Sequence, residues 1–117
     1  MDKKSKELKL ATYWQGKMAI YHHQPIKPLT PKEIGQIKTL FLKTGMLSRR
    51  LMDFAFQHWS QFTTSTMAST GVNVCPEHPT IGYLLAHRDK AISLMIEMNV
   101  VSAEDAELAL EVVKYLD

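Results

Sequence analysis

The chain has 117 residues and a mass of 13.4 kDa, which suits one hydrophobic core and leaves little for a second. Hydrophobic residues at 45% and charged residues at 22% are ordinary for a soluble globular protein, and no apolar run approaches the roughly 18 residues of a membrane span. One cysteine, Cys75, excludes an internal disulfide framework and fits a reducing compartment; the opening MDKKSKELKL has no apolar stretch of a secretory signal, so the expected location is cytoplasmic.

The net charge of +2 conceals a polarity along the chain. Residues 1–50 carry eleven Lys and Arg against three acids, a net of +8. Residues 51–117 carry three Lys and Arg against nine acids, a net of −6. A basic half joined to an acidic half points to a polyanionic partner for the first, although a solvated basic terminus beside an acidic surface helix has the same composition.

In chain order, residues 2–23 begin as a basic helix with Leu10 and Trp14 on one stripe and Tyr13 beside them. Gly16 costs about 1 kcal/mol relative to Ala in a helix interior, so the helix is expected to end or bend there. Tyr13, Trp14 and Tyr21 among lysines suit base stacking beside phosphate contact. The stripe they form favours anchoring of a terminal helix instead. The segment QPIKPL, with two prolines, is a connector.

Thr30, Pro31 and Glu33 make a capping box with proline at the first helical position, and Leu29 and Ile34 occupy the positions of a hydrophobic staple. These devices predict a helix over residues 31–44 that buries Ile34, Ile37 and Phe41 with help from Leu40. Its opposite side, Lys32, Gln36, Thr39 and Lys43, has no acid. Gly45 is the expected left-handed stop. Ser48 then caps a second helix over 48–59, with Leu51, Ala55, Trp59 and Phe62 at helical spacing and Met52 and Phe56 widening the apolar face. Arg49 and Arg50 sit in its first turn, where the helix dipole disfavours cations. A bound phosphate or the nearby Asp53 would each compensate.

The hydroxyl-rich run from Ser60 to Gly71 keeps helical spacing through Phe62, Thr66 and Met67, and the loop 72–79 follows. A helix from Thr80 or His78 to about Met98 buries Ile81, Leu84, Leu85, Ile92 and Met95, with Gly82 marking close approach of another helix and Asn99 as its stop. Ser102 and Asp105 cap a last, acidic helix whose buried row is Leu108, Val112 and Leu116, with Ala109 and Val113 beside it. No segment alternates as a strand does. The expectation is an all-α single domain over 1–117, a bundle of about five helices with a helix-turn-helix-like pair at 31–59.

Chemistry-bearing patterns are sparse. Cys75-x-x-His78 has metal-ligand spacing but needs a second pair, such as His22-His23, from far along the chain; no metal site and no cofactor are expected. The five glycines match no phosphate-binding loop, and no nucleophile turn or carboxylate pair suggests catalysis, so the expected protein is not an enzyme. The apolar load on the second helix leaves little free face for reading base edges. Backbone phosphate contact by Lys32, Lys38, Lys43, Arg49 and Arg50 with Lys6, Lys9 and Lys17 fits the charge pattern better. The reading is thus a small protein that binds DNA or RNA through its basic N-terminal half, as an accessory of a DNA-processing complex. Its C-terminal half, through Leu108, Val112 and Leu116, meets a protein partner or a second copy, and no membrane is involved. The competing reading is a protein-binding adaptor or inhibitor, since seven methionines make adaptable surfaces.

Overall fold

The computed structural model describes residues 6–113, and for side chains residues 8–111. Helices α1 (Lys6–His22), α2 (Pro31–Thr44), α3 (Ser48–Thr70), α4 (Ile81–Ala86), α5 (Arg88–Glu97) and α6 (Ala103–Val113) form an all-α bundle, with α4 and α5 acting as one broken rod and a 3-10 turn (Gly45–Leu47) joining α2 to α3. No strand occurs among the described residues, and no described helix is long and apolar enough to cross a membrane.

The 23-residue α3 is the axis of the bundle. It buries Leu51, Met52, Phe54, Ala55, Phe56, Trp59 and Phe62, around more of its circumference than one neighbour can cover. Helix α1 packs along one flank and α5 along another. Phe56 meets Trp14 of α1 at a ring-centroid distance of 4.8 Å, and Phe54 meets Phe62 edge-on. Trp14 is 4% exposed, so it anchors α1 and offers no stacking face. Helix α1 does not stop at Gly16. It continues to His22, where His23 turns out at a positive φ of 53°. Ala11, Trp14 and Met18 lie on one stripe on both sides of the glycine, and their burial outweighs its helical cost.

Helix α2 starts as its sequence predicts: Thr30 Oγ1 accepts from the Glu33 N–H at 3.1 Å and Glu33 Oε1 accepts from the Thr30 N–H at 2.9 Å. It ends at Gly45, whose φ is 51° and whose N–H bonds the Phe41 carbonyl. Its buried row is Ile37, Leu40 and Thr44, rotated from the predicted one; Ile34 and Phe41 are only half-buried. Gln36, expected in solvent, faces α4 instead, where a Cβ on Gly82 would lie 3.0 Å from Gln36 Nε2. Gly82 thus marks the close helix approach that its position suggested.

Ser48 does not cap α3. It is already helical, and its hydroxyl donates back to the Gly45 carbonyl at 2.7 Å and contacts Thr44 Oγ1 at 2.8 Å. The predicted helix at 48–59 and the hydroxyl-rich run are one helix, bent at His58, where the backbone leaves helical geometry. Beyond the bend Thr63, Thr66 and Thr70 donate to the carbonyls of Ser60, Phe62 and Thr66, which satisfies their hydroxyls within the helix. Gly71, at φ 77°, ends it. Trp59 Nε1 donates to the Pro76 carbonyl at 3.0 Å and holds the following loop on the core.

The expected helix from Thr80 to Met98 breaks at His87 (φ −116°, ψ 28°). Arg88 Nη1 donates to the Leu85 carbonyl at 2.9 Å and supplies a partner at the break. In α6, Ser102 Oγ accepts from the Asp105 N–H as predicted, and Val101 and Ala106 are buried. Leu108 is not part of a buried row: it is 65% exposed, and Ala106, Ala109 and Leu110 face the core. The Val112 side chain and Leu116 lie outside the described residues.

The glycines separate by what surrounds them. Gly16→Ala and Gly35→Ala meet nothing within 4 Å and should each raise stability by about 0.4–1 kcal/mol. Gly71→Ala, at a positive φ, should lower it by about 1 kcal/mol or more. Shifts of the urea unfolding midpoint in opposite directions check both.

Candidate nucleic-acid interface

Along α1, Lys9, Tyr13 and Lys17 recur at a spacing of four and therefore share one face. That face lies beside the first turns of α3. The Tyr13 hydroxyl donates to Asp53 Oδ1, and the Arg49 guanidinium sits 4.3 Å from the Tyr13 ring centroid. Lys17 Nζ lies 5.4 Å from the same ring and 5.7 Å from that of Tyr21. One tyrosine therefore collects two cations from two helices. Burial, followed by donation to Asp53, pushes the Tyr13 phenol above its ordinary value, against a lowering by Arg49. Arg49 is held protonated more firmly still, chiefly by the Tyr13 hydroxyl within hydrogen-bonding reach and also by the charge of Asp53. The dipole conflict at the start of α3 is thus met by groups of the chain itself.

Beside this cluster a groove of about 270 Å³ runs between α1, the end of α2 and the 3-10 turn. Lys9 and Arg49 stand at it, over Leu10, Phe41 and Met46, and among the described residues no carboxylate lines it. A second groove, of about 440 Å³, opens on the far side of Met46. Leu47, Leu108 and Ala109 form its apolar wall, and Arg50 and Asp105 bring opposite charges to it. Met46, 73% exposed, is the ridge between the two.

The cations selected from sequence do not form one patch. Lys9, Lys17 and Arg49 are brought together; Arg50 belongs to the second groove, beside α6. Lys32, Lys38 and Lys43 are all exposed, but on α2 the first and last lie roughly 120–140° around the helix from Lys38. Lys38 shares a flank with Phe41, towards α1, whereas Lys32 and Lys43 flank Gln36, towards α4. The Lys6 side chain lies outside the described residues. Sequence reading offers Tyr13 as a stacking ring and Asp53 as a compensating charge for the arginines, but does not join the two in one cluster. The four-residue spacing of Lys9, Tyr13 and Lys17 was a usable signal, but nothing local names α3 as the helix that meets it.

The histidines converge only in part. His22 and His78 lie edge-to-face, with ring centroids 5.8 Å apart, and His22 Nε2 meets the Phe56 carbonyl oxygen at 3.0 Å. Among the described residues no three His, Cys, Asp or Glu side chains gather as metal ligands. Comparison with protein-family models, with curated proteins and with solved structures finds no match to this chain.

Tyr13 and Tyr83 both have raised phenol values, in each case chiefly through burial. A raised folded value means that the protonated form contributes stability, fully present below the ordinary tyrosine pKa of about 10 and lost as pH rises through the folded value. Unfolding by urea at about pH 8 and about pH 11 should show this loss. Tyr13→Phe should reduce it and leave the part due to Tyr83.

Proposed function

We propose that this protein is a small, non-enzymatic nucleic-acid-binding protein that grips backbone phosphates, as an accessory or subunit of a DNA-processing complex in replication, regulation or mobile-element function. The observation that carries the reading is the meeting of Lys17 and Arg49 on Tyr13 at the seam of α1 and α3, with Lys9 at the groove beside Arg49. Lys9 and Lys17 are separated by roughly 12 Å along the axis of α1. That is the axial span of three to four phosphates at about 3.4 Å per strand, so each cation can meet a different phosphate. Lys9, Lys17 and Arg49 stand against one carboxylate, Asp53, so the cluster keeps a net positive charge. Because α3 is enclosed by α1 and α5, base edges are not its target, and the grip is independent of sequence.

A second reading, a protein-binding adaptor or inhibitor without nucleic-acid contact, is favoured by the groove where Met46 and Leu108 are both largely exposed. Exposed apolar pairs beside charged rims are common at docking surfaces.

The two readings separate in a titration of single- and double-stranded DNA and RNA across salt. Phosphate binding weakens steeply with salt, and the paired substitution Lys9→Ala and Lys17→Ala should reduce the magnitude of the log–log slope by about 2. Lys32→Ala and Lys43→Ala, on the other flank of α2, should change it less. Absence of binding at low salt would leave the adaptor reading in possession of the field.

A further inference from the structure

We infer that Tyr21 is the ring on which the protein stacks one base of a single strand, with the adjoining phosphate on Lys17; this rests on the nucleic-acid reading above and gives it a substrate class. Tyr13, Lys17 and Tyr21 follow one another at a spacing of four along α1, so the cation and the two rings are neighbours in one row.

Three aromatic residues stand among the lysines of α1, and the structure removes two of them as platforms. Trp14 is 4% exposed and packs on Phe56. The Tyr13 ring has the Arg49 guanidinium over it, and its hydroxyl is given to Asp53. Tyr21 is 43% exposed, the most open of the three. The core sets the orientation of its ring: the planes of Tyr21 and Phe56 are tilted by only 1°, with centroids 6.2 Å apart, and Phe56 is itself buried. The plane of Tyr21 is therefore fixed before a base arrives, and little ordering is left to oppose binding. The cation is placed as well. Lys17 Nζ lies 5.4 Å from the Tyr13 centroid and 5.7 Å from that of Tyr21. Both distances approach the limit of about 6 Å for such contacts, so a phosphate can draw the ammonium without breaking a close one. A base on a tyrosine is recognised by its face, which every base has, in agreement with a grip independent of sequence. In a duplex the base faces are already stacked on one another, so Tyr21 selects single strands.

The test uses the full chain and two fluorescent probes, an oligothymidine single strand and a duplex of the same length, at one fixed salt concentration. The expected result is tighter binding of the single strand. Tyr21→Leu, which keeps apolar bulk beside Phe56 but loses the ring, should weaken the single strand about five-fold or more and leave the duplex unchanged. Tyr21→Phe, which keeps the ring, should bind both probes as the unaltered chain does. Single-strand binding that Tyr21→Leu leaves intact would overturn the stacking site; if both probes are still weakened by Lys17→Ala, phosphate binding stands. Should Tyr21→Leu lose the duplex as well, through misfolding, photo-cross-linking of the unaltered chain to an iodouracil-substituted single strand decides. A cross-link at Tyr21 supports the site, and cross-links at other residues alone overturn it. No binding of either probe at low salt would overturn both this site and the nucleic-acid reading.

Discussion

Helix α3 carries too much apolar surface to be buried from one side, and the remaining architecture follows from that constraint. At roughly 25 cal/mol per Å² of apolar area, an uncovered Phe54 or Phe56 would forfeit a large part of the few kcal/mol by which a domain of this size is stable. Both rings are 2–3% exposed because α1 seals one flank and the broken rod α4–α5 seals another. Helix α2 then lies against α1, α4 and the start of α6 and ties the two sides together.

Covering α3 with a basic helix has an electrostatic consequence. The residues that must face the α1–α3 seam for packing, Trp14 and Ala11, bring Lys9, Tyr13 and Lys17 to its rim. There Tyr13 meets Asp53 and Arg49 of α3. A cation cluster of this kind would repel itself; here an aromatic ring and one carboxylate hold it, without neutralising it. The cation cluster is therefore a by-product of a packing solution, built on helices rather than loops, and its side chains start from fixed backbone positions.

Local chemistry was legible in the sequence wherever a few adjacent residues decide the outcome. The capping box at Thr30 and Glu33, the cap at Ser102 and the positive-φ stop at Gly45 are short-range devices, and each is present. Gly82 at the approach of Gln36 was legible for the same reason, since a missing Cβ speaks of a near neighbour. Where burial competes with propensity, local reading failed: Gly16 is carried by the apolar stripe around it, and Leu108 sits in a helical row that the bundle leaves outside. The break at His87 and the bend at His58 have no glycine or proline to announce them. The site was half legible. Its cations stood out by charge, but which of them meet depends on how α1 lies on α3, and only the fold contains that.

The bend in α3 also ties together parts of the chain that are distant in sequence. His58 falls two residues after Phe56, within the turn over which an unbroken helix would use the Phe56 carbonyl for its own ladder. That oxygen meets His22 Nε2, at the last residue of α1. The bent stretch of α3 thus supplies an acceptor to the last residue of α1. Bending of one helix and docking of another are thereby joined in a single cooperative unit, in which amide protons near the end of α1 and around the bend share one opening free energy.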